Sequence, residues 1–168
     1  AIDYFDGIGV RFWHSKTVVD YHPEVEGACL GGRALEPQTF DGRKLGRDNF
    51  SRIRPPVPEF GLFGGTMMVR RAEVNQLLTL LQGSPKAAPL ALKLGARWAK
   101  DRLGYSRGTR LAMGNALVAN LFHQLLQRDG RVWFNSTATR LLTDATGRVI
   151  GAVVDHQGRE MRVRAGRG

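Results

Sequence analysis

The sequence is short of cysteine, of acidic residues and of long apolar runs. One cysteine among 168 residues, Cys29, excludes an internal disulfide and a zinc site built from four cysteines of this chain. No stretch reaches the roughly 18 to 20 consecutive apolar residues of a bilayer-spanning helix, so no integral membrane segment is expected. No signal peptide is visible, and a cytoplasmic location is the expectation. His14, His22, Cys29, His123 and His156 fall at no metal-ligand spacing, and His123 is expected on the polar side of its helix. Neither a GxxxxGK phosphate loop nor a nucleophile elbow occurs.

Acidic residues number 15 against 25 Lys and Arg, which leaves a net charge of +10. Such an excess would by itself favour nucleic acid or another acidic partner. Yet the arginines run from Arg11 to Arg167 without a block of five or six, and the densest groups are broken by apolar residues. No zinc finger, basic zipper or RNA-recognition signature accompanies them. A basic module that binds nucleic acid or an acidic partner therefore stands as the alternative reading, and it would have to gather its arginines on one face.

What is present describes a globular protein: 42% hydrophobic residues, with 8 Phe, 3 Trp and 3 Tyr. The length suits one domain or a pair of small lobes. The chain opens within what reads as a helix end and stops just after a strand, which suggests an excerpt of a longer protein.

A Gly7/Gly9 turn leads to a strand around 10–13, with Val10 and Phe12 on one face. Residues 20–65 hold five of the seven prolines. A connection this long is usually functional or disordered, and Phe40, Phe50, Phe60, Leu62 and Phe63 predict that it packs against something. Val74, Leu77, Leu78 and Leu81 mark a helix that ends at Gly83-Ser84-Pro85. A second helix spans about 86–103, with Leu90, Leu94 and Trp98 spaced by four. Leu117, Val118, Leu121, Phe122, Leu125 and Leu126 predict the buried face of a third helix over about 114–128, capped at Asp129-Gly130. A strand over 131–135 is expected next. Strands over 138–143, 149–155 and 160–165 then follow, joined by the tight turns Asp144-Ala145-Thr146-Gly147 and His156-Gln157-Gly158.

The order and separations of those last pieces carry a resemblance. Gly114-Asn115-Ala116-Leu117-Val118, then Thr137-Ala138-Thr139-Arg140-Leu141, then Gly147-Arg148-Val149-Ile150-Gly151 and Val163-Arg164-Ala165-Gly166 are similar to the FAD-binding domain of one flavoprotein superfamily. It contains the fumarate reductases, succinate dehydrogenases and 3-ketosteroid 1-dehydrogenases. Earlier, Asp20-Tyr21-His22-Pro23, Gly31-Gly32-Arg33-Ala34-Leu35 and Arg54-Pro55-Pro56-Val57-Pro58 look like the ketosteroid-dehydrogenase branch.

The resemblance implies an α/β fold (α+β within these residues), part of a Rossmann-like FAD/NAD(P)-binding domain. Helix, strand and a three-stranded antiparallel meander would form its C-terminal end. Residues 1–104 would be a Gly/Pro-rich excursion with two helices, inserted in the FAD-binding domain, and 105–168 would belong to that domain proper. The GxGxxG turn, the acidic residue for the ribose and a substrate-capping domain have no counterpart here. FAD is the implied cofactor. The implied reaction dehydrogenates or reduces a carbon–carbon bond beside a carbonyl, on a small-molecule substrate such as a steroid or a dicarboxylic acid.

The resemblance also assigns residues. Tyr21 would be catalytic, because a phenol can share or relay a proton beside an apolar substrate without a permanent charge. Ala138 would offer main-chain N–H and C=O to the adenine edge, and Ala165 would lie near the nucleotide. Gly114, with Asn115, opens the third helix where bare backbone can approach a ligand or a neighbouring strand, or simply start the helix. Arg33, Arg43 and Arg107 would either pair with carboxylates of a fumarate-like acid or remain solvated loop arginines.

Overall fold

The computed structural model describes residues 2–16 and 18–166, which divide into two compact units, Ala1–Arg128 and Asp129–Gly168. In the first unit a short helix α1 (Ile2–Gly7) leads through Gly9, at φ +90°, into β1 (Phe12–Ser15). β1 pairs antiparallel with β2 (Ala34–Pro37), and β3 (Phe40–Asp41) pairs antiparallel with β4 (Arg110–Leu111). Between them lie α2 (Gly46–Arg52), α3 (Arg71–Leu81) and α4 (Ala88–Arg102), and α5 (Met113–Leu126) follows β4.

The main core of this unit joins Phe40, Leu45, Phe50, Ile53, Met68 and Leu111 to three alanines, Ala112, Ala116 and Ala119. Phe40 and Phe50 are buried, as the long 20–65 stretch predicts. Phe63 also packs, stacked on Trp98 with ring centroids 4.7 Å apart, although it is part of a surface turn closed by the Leu62–Met67 bridge. Phe60 and Leu62 depart from that expectation and stand exposed. The face of α5 differs too. Ala112, Ala116 and Ala119 have no exposed surface, whereas Val118 and Leu125 are 56% and 42% exposed. Methyl side chains let the helix approach the β3–β4 ribbon closely, so the smallest apolar residues are the most buried. A smaller cluster seats Leu90, Leu94 and Trp98 of α4 on Met67, Val69 and Leu77, in line with the spacing by four.

One polar clamp ties α3 to β4. Glu73 accepts the Arg70 backbone N–H at 2.8 Å and takes both guanidinium nitrogens of Arg110, at 2.6 and 3.0 Å. The two side chains are 14% and 17% exposed, so solvent screens the pair weakly. Bidentate charge-assisted bonds of this kind are the stronger class. Glu73→Gln should therefore cost about 2 kcal/mol in a urea unfolding titration.

In the second unit β5 (Ser136–Thr143), β6 (Val149–His156) and β7 (Arg159–Arg164) form an antiparallel sheet in the order β5-β6-β7. This is the expected meander. Its turns follow from their residues. Gln157 and Gly158 take φ +54° and +76°, the paired left-handed positions of a two-residue hairpin loop. The Asp144 carboxylate accepts Thr146 N–H at 2.8 Å, Thr146 hydroxyl at 2.6 Å and Arg148 N–H at 3.1 Å. The Thr146 bonds, its hydroxyl's first, hold that carboxyl below its ordinary pKa.

The strand expected over 131–135 is a correction: residues 131–133 have no regular structure and a turn occupies 134–135. Asn135 sits at φ +52° and Asp129 at +56°, and left-handed residues at both ends break an extended run. Among the described residues no helix is long and apolar enough to cross a membrane.

Candidate functional site

The meander sheet has two edge strands, β5 and β7, and Ala138 sits on β5. The Ala165 N–H donates to the Ile150 carbonyl at 2.9 Å, which fixes the phase of the β6–β7 ladder. Main-chain groups alternate in direction along a strand. Ile150, Ala152 and Val154 therefore face β7, and Gly151, Val153 and Asp155 face β5. Ala138 is opposite Val154, so its N–H and C=O point away from β6. A register shift between Ala138 and Arg140 inserts Thr139, whose hydroxyl donates to the Val153 carbonyl at 3.2 Å. That bulge fixes the exposed edge at Ala138 and presents one donor and one acceptor side by side.

Ala165 lies on the opposite side of the same sheet, just past β7. Its amide hydrogen is committed to Ile150, so its carbonyl and methyl are what it offers a ligand.

In the first unit, Gly114 is the second residue of α5 and follows Met113, which takes φ +50°. A methyl group added at Gly114 would meet nothing within 4 Å. The backbone there is open to approach, with no close neighbour that demands glycine. Gly114 borders a shallow cleft of about 180 Å³ with Ile53, Pro55 and Val118. Asn115 is spent on structure, its amide donating to the Arg54 carbonyl at 2.6 Å.

Tyr21 is fully exposed on the 20–33 loop. Its neighbour Asp20 holds that loop together. The Asp20 carboxylate accepts the Cys29 N–H at 3.0 Å and lies 3.4 Å from the Arg33 guanidinium, and the Asp20 N–H donates to the Cys29 carbonyl. The phenol is thus displayed on a braced loop.

The three arginines offered for a dicarboxylate are all engaged by the protein. Arg33 pairs with Asp20, and Arg43 grips Asp41 with its Nε at 3.0 and 3.1 Å. Arg107 is buried over the Phe50 ring, 4.7 Å from its centroid, and donates to the Ile53 carbonyl at 2.6 Å. Burial lowers the Arg107 pKa.

Sequence reasoning missed a buried polar group beside these. Asp101, 4% exposed, accepts the N–H and hydroxyl of Thr109, each at 2.8 Å, and Arg97 bridges from it to Asp41. Burial by itself would raise the Asp41 pKa, but the bonds from Arg43 and the charge of Arg97 outweigh it and lower it. The only signal in the sequence was the Arg97/Asp101 spacing of four on one helix. His123 faces a polar cleft with Arg11, Lys44, Asn120 and Gln124, and its ring also lies against Phe40, with centroids 5.6 Å apart. Burial first, and the Lys44 charge second, lower its pKa.

A family model described as "FAD binding domain" matches residues 2–168. A 3-oxosteroid 1-dehydrogenase of Comamonas testosteroni is 31% identical over 99% of this chain and 29% of its own length. A 4-oxocyclohex-2-ene-1-carboxylate 5-dehydrogenase of Sinomonas cyclohexanicum is 30% identical over 91% of this chain and 26% of its own length. Among solved structures, the 3-ketosteroid delta1-dehydrogenase of Sterolibacterium denitrificans, in complex with 1,4-androstadiene-3,17-dione, aligns with a TM-score of 0.83 at 28% identity. That alignment covers 99% of this chain and 30% of that one. The chain thus spans less than a third of the length of each of these relatives.

Proposed function

As this chain belongs to the FAD binding domain family, we propose that it is the adenine-side portion of a flavoenzyme that dehydrogenates a carbon–carbon bond beside a carbonyl, on a 3-ketosteroid-like substrate. The observation that carries this reading is the free edge at Ala138. It supplies one main-chain donor and one acceptor, the pair an adenine edge requires. The residues present fit that end of FAD. They do not supply the pyrophosphate cradle: Gly7-Ile8-Gly9 runs into β1 rather than into a helix N-terminus, where backbone N–H groups would meet the phosphates.

Within this reading, 105–168 belong to the Rossmann-like cofactor domain and 1–104 form an excursion inserted in it. Ala165 and Gly114 lie along the nucleotide, Ala165 through its carbonyl or methyl and Gly114 through bare backbone. Bound FAD would supply the hydride acceptor. The chain's own contribution to proton handling is the Tyr21 phenol, which holds a hydrogen at its hydroxyl for exchange at the substrate carbonyl side. Its braced loop sets the position, and its exposure leaves it open to substrate. A cytoplasmic location and a steroid rather than a dicarboxylate complete the proposal. The three arginines the resemblance offers to a dicarboxylate substrate, Arg33, Arg43 and Arg107, are spent on Asp20, Asp41 and Ile53.

The test uses the protein with whatever sequence flanks this chain in its source. It should purify yellow and oxidise a 3-ketosteroid with an artificial electron acceptor. Tyr21→Phe should lower kcat by about 10²-fold with little change in KM. Ala138→Pro removes one outward N–H from an edge strand, where proline is tolerated, and should weaken FAD binding by about tenfold. A colourless protein that takes up no added FAD would end the proposal.

A further inference from the structure

A polar cleft in the first unit, about 400 Å³ in volume, is lined by Arg11, Lys44 and the Asn120–Gln124 turn of α5, none of which enters the flavin reading. We propose that this cleft binds a small, multiply charged oxyanion, a dicarboxylate or a phosphate. The proposal stands independently of the FAD assignment.

Charge is the first ground. Among the described residues neither Arg11 nor Lys44 has an ion-pair partner, and the Lys44 ammonium lies 5.9 Å from the centroid of the Phe40 ring. The one carboxylate on the cleft wall, Asp41, is already held by Arg43 and by Arg97 at 3.2 Å. It therefore cannot neutralise the two free cations. Positive charge left uncompensated in a concave wall focuses field and attracts anions.

Directed donors are the second ground. The Arg128 guanidinium donates to the Gln124 side-chain oxygen at 2.9 Å, which settles which end of that amide is which. Its Nε2 is left toward Gly9, where an added Cβ would come within 3.1 Å of it. Asn120 uses one N–H on the Gly9 carbonyl at 3.1 Å and keeps a second. Two cations with two amide donors across a cleft of this volume suit an oxyanion with more than one charged end.

The experiment titrates the full chain at low salt with succinate and, separately, with inorganic phosphate, by calorimetry and by NMR of the His123 ring protons. Saturable binding is expected, at least tenfold weaker in both Arg11→Gln and Lys44→Gln, and unchanged in Arg159→Gln, which removes the same charge from β7. Saturation by succinate alone would identify a dicarboxylate site, and by phosphate alone a phosphate site. Bound anion should also raise the His123 pKa by offsetting Lys44. No saturable binding of either anion would overturn the proposal, as would an equal loss in Arg159→Gln. So would an effect from only one of the two cleft substitutions, or a His123 titration unmoved at saturation.

Discussion

Asp101→Ala is expected to destabilise the first unit by about 3–5 kcal/mol, read as a lowered urea midpoint with an unchanged slope. Asp101 caps nothing of its own helix with its side chain. Its Oδ2 instead accepts both donors of Thr109, a residue with no exposed surface. The Thr109 carbonyl in turn accepts the Gly42 N–H at 2.8 Å, so one carboxylate ties α4 to the ribbon under the main core. Truncation leaves the two buried Thr109 donors without their acceptor and removes the charge 3.9 Å from the Arg97 guanidinium, which keeps Asp41. The Thr109 hydroxyl could turn to Asp41, 3.5 Å away, but the amide hydrogen has nowhere to turn. Asp101→Asn keeps an acceptor oxygen and loses only the charge, so it should cost about 1–2 kcal/mol. If alanine and asparagine cost the same, the Thr109 bonds are not what Asp101 contributes.

Gly151→Ala should detach the C-terminal half of β7 from β6. Gly151 pairs with Arg164, and its backbone is not left-handed, so space rather than conformation requires glycine. An added Cβ would collide with the Val163 carbonyl oxygen and lie 3.0 Å from the Arg164 Cα. Both obstacles are main chain and cannot swing aside as a flexible side chain would. Overpacking of this kind costs about 3 kcal/mol or more. The second unit has little to offset it, since Val153 is its one fully buried large side chain among the described residues. Hydrogen exchange of the Ala165 amide is the direct readout. It should approach the rate of an unprotected amide in Gly151→Ala and stay slow in Gly147→Ala, which strains a left-handed turn position by about 1 kcal/mol but meets no neighbour. Retained protection at Ala165 in Gly151→Ala would refute the steric account.

The contrast between these two sites follows how far apart the cooperating residues lie. Alternation along 136–164 and the turn chemistry of Asp144 and of Gln157-Gly158 are local, and they gave the meander nearly to the residue. The same kind of reading failed over 131–135, where left-handed Asp129 and Asn135 override apolar content. On α5 the periodicity was right and the buried face was not. Counting large apolar side chains ignores that alanine permits the closest helix-to-ribbon approach. Asp101 with Thr109, and Arg110 with Glu73, meet across 8 and 37 residues, and nothing local marks them as partners.

By itself the sequence determined the class of fold, the hairpins of its last third and the family whose order of pieces it shares, because each depends on short-range patterning. Tertiary structure alone decided that the Ala138 main-chain groups point away from β6, which arginines are already spent, and where two cations without an ion-pair partner among the described residues face one cleft. Those outcomes depend on ladder phase and on which charges meet through space. Neither is recorded in the spacing of residues along the chain.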